Sequence, residues 1–523
     1  MSLPPSRSIA PKSRPGAYAP RRHALLFGVV LSPLALAGCM VGPSYHRPAA
    51  PVSARFKELV PAPGWEKARP AMAELPKDAW WTIYDDPILN DLESRIAISN
   101  QNVKMYEANY RQARATINSV RAQLFPTISG SIGFNRAGHG GSSVSSSGSS
   151  YANAGTVYNS YSIGPSASWD LDLWGKIRRN IQSQVTAAQA SAADLANATL
   201  SYQAQLATAY FNLRYQDSLQ DLLRRYVAFN TRALEIAQNQ FDAGIADPTA
   251  VMQARTQLEQ NRASLIQAGV ARAQYEHAIA VLVGRSPAEL TITPGALSRA
   301  IPAVPVGVPA DLLQRRPDIA AAERAMEEYN AQIGAAIAAF FPSVTINASY
   351  SQSGGDPVTS LMSVANRVWS LGASATETLF SGGSRTAAVH SADAQYDSAV
   401  ATYRQTVLTA LQGTEDQLSN LRILAQQAAQ QQVALDYANK AVQVSMNQYE
   451  AGTQIYTTVI TNVTTALGIA ETTLSIQQQR MVDSVALVQA LGGGWNAARL
   501  PSKASLQTDN PLLPSFIQKD KNQ

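Results

Sequence analysis

The chain says much the same thing twice. Phe241-Asp242-Ala243-Gly244 returns as Tyr449-Glu450-Ala451-Gly452, and Leu213-Arg214 returns as Leu421-Arg422, both 208 residues later. Leu282-Val283-Gly284 returns near the same offset as Leu491-Gly492-Gly493. Leu124-Phe125-Pro126 and Phe340-Phe341-Pro342 lie 216 apart, so a few residues were gained or lost between copies. Each copy is expected to follow one plan: helix, short alternating strand, Ser/Gly-rich loop, alternating strand, very long helix, Gly turn, returning helix. Such self-similarity decides architecture before any local pattern does.

The strands alternate. Tyr161, Ile163, Pro165, Ala167, Trp169, Leu171 and Leu173 share one parity, and Ser162, Gly164, Ser166, Ser168, Asp170 and Asp172 the other. Trp369, Leu371, Ala373 and Ala375 alternate in the same way with Ser370, Gly372, Ser374 and Thr376. The preceding strands match, with Ile128, Ile132 and Phe134 against Ser129, Ser131 and Gly133. Val344, Ile346, Ala348 and Tyr350 likewise oppose Thr345, Asn347 and Ser349. Alternation puts apolar groups on one face and small polar groups on the other. A soluble sheet with one buried face would do the same. Tyr158, Tyr161, Trp169 and Trp369 flank the apolar face, however, as girdles flank the lipid-facing band of membrane barrels. The intervening loops, residues 136–159 and 352–366, are Ser/Gly-rich and read as exposed and flexible.

Four strands do not close on themselves, and an open edge is not viable in hydrocarbon. The barrel must therefore be shared with further copies of the chain. Three copies would give twelve strands, an even number within the known range, around a lumen lined by the small polar face. A homotrimer follows more naturally than a dimer.

Two segments are long enough to extend such a barrel. Residues 176–243 and roughly 385–451 contain no proline, and either would reach on the order of 100 Å as a continuous helix. Leu195, Thr199, Tyr202, Leu206, Ala209 and Leu213 form an Ala-rich heptad seam. The shorter helical segments, residues 88–124 and 249–284, together match one long helix. Stacked end to end, they would give it a partner.

The amino terminus sets the compartment. Residues 1–23 carry Arg7, Lys12, Arg14, Arg21 and Arg22 and no acid, and an apolar run, Ala24 to Ala37, ends at Gly38-Cys39. This reads as a signal peptide whose apolar core is too short to span a bilayer. Cys39 is the one cysteine of the chain, so no internal disulfide is possible. Small residues before a lone Cys resemble a bacterial lipobox. Cleavage there would leave Cys39 with N-palmitoyl and S-diacylglycerol groups; a small buried thiol is the plainer alternative. Met40, not Asp, follows, so the inner-membrane retention signal is missing and the outer membrane of a Gram-negative cell is expected. Removing residues 1–38 leaves 37 basic against 37 acidic residues, a formal net charge of zero. The basic balance of the full chain therefore belongs to the leader, and no basic stripe remains for nucleic acid.

Catalytic chemistry is not expected. His23, His46, His139, His277 and His390 stand apart from Cys and acids at any metal-ligand spacing. No phosphate-cradling loop follows a strand, so no metal, cofactor or enzyme activity is expected.

These features together resemble the outer-membrane factor family, the TolC-like exit ducts. The lipoprotein branch paired with resistance-nodulation-division pumps is the most similar. The resemblance runs from Cys39 to about Trp495. Its most specific stretch is Asp311 to Ile319, which contains Arg315-Arg316-Pro317-Asp318, followed by Ala322-Glu323, Ile333-Gly334 and Phe341-Pro342. Cys39 to Tyr45, Asp170 to Lys176 and Leu491 to Trp495 are also similar. Pro317 suits a first helical turn and Asp318 its positive end, so Arg315 and Arg316 are expected to brace an equatorial region. Trp174-Gly175 and Phe380 to Gly383 mark exits from strand to helix.

The resemblance implies an α+β membrane fold: a trimeric twelve-stranded β-barrel on a long-helix periplasmic α-barrel, built from an internal two-fold repeat. Its divisions would be a signal peptide (1–38), a lipid-anchored segment with equatorial region (39–87), two structural repeats (88–300 and 301–494) and a polar tail (495–523). The periplasmic tip would dock a membrane-fusion adaptor joined to an inner-membrane transporter. It maps onto Gly244, Ile245, Ala246 and Asp247, and onto Gly452, Thr453 and Gln454. Relatives often close the tip with rings of Leu and Asp; here Thr457 and Thr461 stand at the corresponding positions. Threonine cannot act as a carboxylate cation gate. The function implied is a passive exit duct for drugs and small toxic molecules, with type I protein secretion as the alternative cargo route.

Overall fold

The computed structural model describes residues 40–59, 79–139 and 156–507. Cys39 lies outside the described residues. Helices α1 (Pro87–Ser99) and α2 (Gln101–Ala122) lead into strands β1 (Thr127–His139) and β2 (Thr156–Leu171). Then come α3 (Lys176–Asp242), α4 (Pro248–Leu282) and the single turn α5 (Leu312–Arg315). The second half runs α6 (Pro317–Ala338), β3 (Ser343–Gly354), β4 (Arg367–Thr376), α7 (Ser384–Glu450) and α8 (Tyr456–Ala490). No described helix is long and apolar enough to cross a membrane.

Both halves use helices of the same lengths. α3 and α7 have 67 residues each, α4 and α8 have 35, and α2 and α6 have 22. Within each half the two shorter helices abut end to end along the long one. Asn100 makes the first joint: its Oδ1 accepts from Asn102 N and Val103 N, capping α2, while its Nδ2 donates to Leu282 O at the end of α4 (2.7 Å). Gly284 turns there at φ 69, and a Cβ on it would lie 2.2 Å from Ser99 O. Arg316 makes the second joint, clasping Asp318 in the first turn of α6 (2.6 and 3.0 Å) and donating to Ala490 O at the end of α8 (2.7 Å). Arg315 pairs with Asp311 at 3.4 Å.

The expected single segment 88–124 is broken at Asn100, which is extended at ψ 122. An Asn side chain replaces the backbone bonds missing at a helix start, so the break costs little. The heptad seam is also too narrow a description of α3. Leu206 and Leu213 are fully buried, but so are Ala207 and Tyr210, because α3 is packed by α2, α4, α6 and α8.

The four strands form one antiparallel sheet in the order β1-β2-β3-β4. The hairpins are longer than the sequence suggested, since residues 136–139 and 156–159 belong to strands β1 and β2. Between β3 and β4 the expected flexible loop folds into two tight turns, Val358–Met362 and Val364–Asn366. Ser360 Oγ donates to Gly355 O (2.7 Å) and Asn366 Nδ2 to Ser360 O (2.8 Å), which supplies the bonds that a Ser/Gly stretch lacks on its own.

The largest apolar core lies around the middle of α3. Trp80, Leu89, Ile96, Leu206, Tyr210, Leu213, Ile279 and Val485 meet there. Each such side chain contributes about 1.5–3 kcal/mol on burial. A polar knot fixes the neighbouring loop: Asp217 accepts from Arg214 (3.1 Å), Arg272 (2.6 Å) and Gly295 N (3.0 Å), and Arg272 also pairs with Glu276 at 3.2 Å. A second core, including Phe56, Ile319, Met326, Tyr403 and Val407, joins α6 and α7 to the chain's first described segment.

Candidate functional site

The strand register decides which side chains share a face. Ile132 pairs with Ile163, Trp169 with Ile346, Ala348 with Leu371, and Tyr350 with Trp369. Ser129 pairs with Ser166, Asp170 with Thr345, and Ser349 with Ser370. The two parities therefore carry from strand to strand, although Tyr158, expected beside the apolar face, pairs with Ala137 on the polar parity. The apolar face has no cover: Ile132 is 85% exposed, Trp369 75% and Leu371 71%. On the polar face, hydroxyls bond across strands, Ser129 to Ser166 at 2.9 Å and Ser349 to Ser370 at 2.8 Å. Trp169, expected in a girdle, donates from Nε1 to Leu124 O (3.0 Å) at the helix end of the sheet. β1 and β4 are both edge strands with one unpaired side.

Below the sheet the exits into α3 and α7 turn on Gly175 (φ 79) and Gly383 (φ 85). Asp172 receives Ile177 N and Arg178 N at the start of α3 (2.9 and 3.0 Å) and pairs with the Arg178 side chain. Trp174 stacks on Phe341 at 4.8 Å and donates to Pro342 O at 2.9 Å.

The first described residues run close by. Val41 N donates to Trp174 O at 3.2 Å, and a Cβ on Gly175 would lie 2.7 Å from the Met40 side chain. Arg179, buried, donates to Val41 O and Gly42 O (3.0 Å each) and to Gln182 Oε1 (3.1 Å). Farther on, Tyr45 donates to Glu323 (2.9 Å), Glu415 accepts Lys57 N and Glu58 N, and Glu58 pairs with Arg422 at 2.6 Å. The segment thus straps α6 and α7 from the strand end of the helices inward. Sequence reasoning misses Arg179 and Glu415, because a single Arg or Glu on a long helix carries no signal of its partner.

At the far end of the helices stand the two Gly turns. Gly244 (φ 73) and Gly452 (φ 72) end α3 and α7 in the left-handed conformation, which glycine adopts without penalty. Ile245 N reaches back to Gln240 O (2.8 Å) and Thr453 N to Gln448 O (2.9 Å), the same closure twice. Asp247 caps α4 by accepting from Thr249 N (2.8 Å), and that backbone bond holds its carboxyl below the usual range. Beneath the turns, Tyr449, Tyr456, Val459 and Val463 form a small core with Ala233 and Ala237. Burial pushes the Tyr456 phenol up to about 12. Gln240 Nε2 donates to Tyr449 O at 3.4 Å, so the two turns lie side by side. Ala246 and Gln454 are half-buried, whereas Ile245 (75%), Ile455 (68%) and Met252 (67%) stand exposed around the turns. Met252 is not legible beforehand, since one Met on a helix is ordinarily core.

Thr457 and Thr461 fall on the exposed side of the first turns of α8. Thr461 Oγ1 donates to Thr457 O (2.9 Å) and Thr465 Oγ1 to Thr461 O (2.8 Å), so the Thr461 and Thr465 hydroxyls donate within their own helix. No acidic or basic residue occurs from Tyr456 to Ala470.

The combination of an uncovered apolar sheet and long paired helices is matched among known proteins. The family model described as "Outer membrane efflux protein" covers residues 92–285 and 308–493. The chain belongs to the outer membrane efflux protein family. It is 28% identical over 467 residues to the solvent efflux pump outer membrane protein SrpC of Pseudomonas putida, spanning 89% of this chain and 97% of that protein. It is 27% identical over 486 residues to the outer membrane protein OprJ of Pseudomonas aeruginosa, with 92% and 98% covered. The outer-membrane channel OprN superposes with a TM-score of 0.77 at 28% identity, over 87% of this chain and all of that one. The outer membrane channel CmeC of Campylobacter jejuni shares the fold, with a TM-score of 0.80 at 22% identity over 91% of this chain and all of CmeC. As an outer membrane efflux protein the chain works in the outer membrane of a Gram-negative cell.

Proposed function

We propose that this protein is the passive exit duct of a tripartite efflux system for drugs and other small toxic molecules. Three copies close a twelve-stranded barrel, with β4 of one pairing to β1 of the next, and their helices continue it as a tube across the periplasm. The observation that carries this reading is the sheet: four strands with an apolar face open to lipid, a small polar face opposite, and two unpaired edges. An isolated edge in hydrocarbon leaves backbone groups unsatisfied at several kcal/mol each, so closure with copies is the stable solution. The matched helix lengths of the two halves support an internal two-fold repeat.

Cys39 is the proposed lipid anchor. Its neighbour Met40 lies against Gly175 at the strand-to-helix exit, the level of the inner leaflet for a barrel in this orientation. Ile245 and the residues around Gly244 and Gly452 are the proposed adaptor contact, with exposed Ile455 and Met252 added to it. Thr457 and Thr461 are the proposed narrowing inside the tip. A membrane-fusion adaptor and a resistance-nodulation-division transporter supply docking and energy.

The test is accumulation of a fluorescent dye in a strain lacking the protein, restored with wild type or with an Ile245→Asp/Ile455→Asp variant. Restored efflux by wild type alone, with both proteins trimeric in the outer membrane, supports a docked duct. Equal restoration by both removes the tip from the mechanism. Normal efflux in the deletion strain together with lost secretion of a protein substrate would favour type I secretion.

A further inference from the structure

On the polar face of the sheet, Asp170 is the single formal charge among the described side chains. Every other described residue of that parity is neutral, mostly Ser, Thr, Asn or Gly. Asp170 is exposed, at the helix end of β2, and accepts from Thr345 Oγ1 at 2.7 Å, which points its carboxylate along the face. It borders a cavity of about 550 Å³ whose other charges are Asp172, Lys176, Glu377 and Arg385. Two of these are neutralised locally: Asp172 by Arg178 (3.1 Å) and Glu377 by Arg385 (2.7 Å). Lys176, in the first turn of α3, is exposed and makes no ion pair among the described residues.

We propose that Asp170 sets the charge preference of the duct at the inner mouth of the barrel, with Lys176 opposing it on the helical side. The inference rests on the trimeric duct proposed above. Closure of three copies turns the lone carboxylate into a ring of three, with a ring of ammonium groups following it toward the periplasm. Rings of like charge along a pore are a general source of ion preference. A carboxylate on the order of 10 Å from the axis changes the local ion concentration by roughly twofold in unscreened water. Salt removes the effect once the Debye length, about 3 Å at 1 M against about 30 Å at 0.01 M, falls below the lumen radius. The barrel would thus favour cationic solutes weakly and would not exclude neutral ones.

Purified wild type, Asp170→Asn and Lys176→Gln are compared in planar bilayers under a tenfold KCl gradient, reading the potassium-to-chloride permeability ratio. At low salt the wild type should favour potassium. Asp170→Asn should lower the ratio by roughly twofold or more, and Lys176→Gln should raise it. Both differences should vanish near 1 M salt. Unchanged ratios in both conducting variants at low salt would overturn the proposal while leaving the duct intact. A change of the same sign in both would overturn it too. If wild-type trimers carry no current, the duct reading itself fails.

Discussion

Arg179 shows how much one residue holds at the residue scale. Its guanidinium is buried with no carboxylate partner among the described residues and is satisfied by Val41 O, Gly42 O and Gln182. Gly42 (φ 95) rests so closely on Gly334 that a Cβ there would fall 2.4 Å from the Gly334 Cα. Arg179→Ala orphans two carbonyls and loosens the strap, a loss of about 2 kcal/mol. Faster protease cleavage within residues 40–59 of the folded protein would report it, and wild-type protection would contradict it. Glu93 makes a different case. It is fully buried, neither carboxylate oxygen has a partner among the described residues, and burial alone pushes its carboxyl well above the usual range. The folded state therefore holds this proton more tightly than the unfolded chain. Its stabilising effect is complete below the unfolded value and is lost as pH rises toward the folded one. Glu93→Gln should remove that loss, raising the melting temperature at pH 8 by the equivalent of about 1–2 kcal/mol and leaving pH 4 little changed. A lowered melting point at pH 8 would contradict this. Neither residue was legible in the sequence. Glu93 sits in a helix like any surface glutamate, and its place next to Leu92, a core side chain of α1, does not by itself mark it as internal.

Strand parity was legible at the element scale because a period of two needs no knowledge of tertiary partners. Strand ends were less so: Arg136 to His139 carry no alternation strong enough to separate strand from Ser/Gly loop. The Gly turns were legible for a comparable reason, since a helix end in the left-handed conformation selects glycine wherever it occurs. Gly244→Val and Gly452→Val should each cost about 1–2 kcal/mol locally. The space around both is open, with no atom within 4 Å of an added Cβ, so the cost is backbone strain and not collision. Frayed tips should appear as faster amide exchange at residues 240–250 or 448–458. Exchange unchanged from wild type would show that the turn tolerates the branched residue. The break at Asn100 was hidden because the flanking residues, Ser99 and Gln101, do not interrupt a helical pattern. The joint is visible only once Leu282 O arrives from a segment 182 residues away.

The whole molecule is incomplete as a single chain. Its edges β1 and β4 are unpaired, its apolar sheet face is open, and large side chains such as Leu379 (96% exposed) and Phe380 (88%) stand free at the foot of β4. The broad plan of strands and long helices was readable from composition and period. Closure with further copies is a proposal that rests on the cost of leaving a strand edge in lipid. The central claim is that copies of this chain close a pore through that pairing. Paired cysteines decide it most directly: Ser131→Cys on β1 and Gly372→Cys on β4, in a Cys39→Ser background targeted to the outer membrane by a cleavable leader, oxidised in place. A covalent ladder that ends at three chains, with single-channel conductance retained, is the expected result. A ladder ending at two chains, or continuing past three, would contradict it.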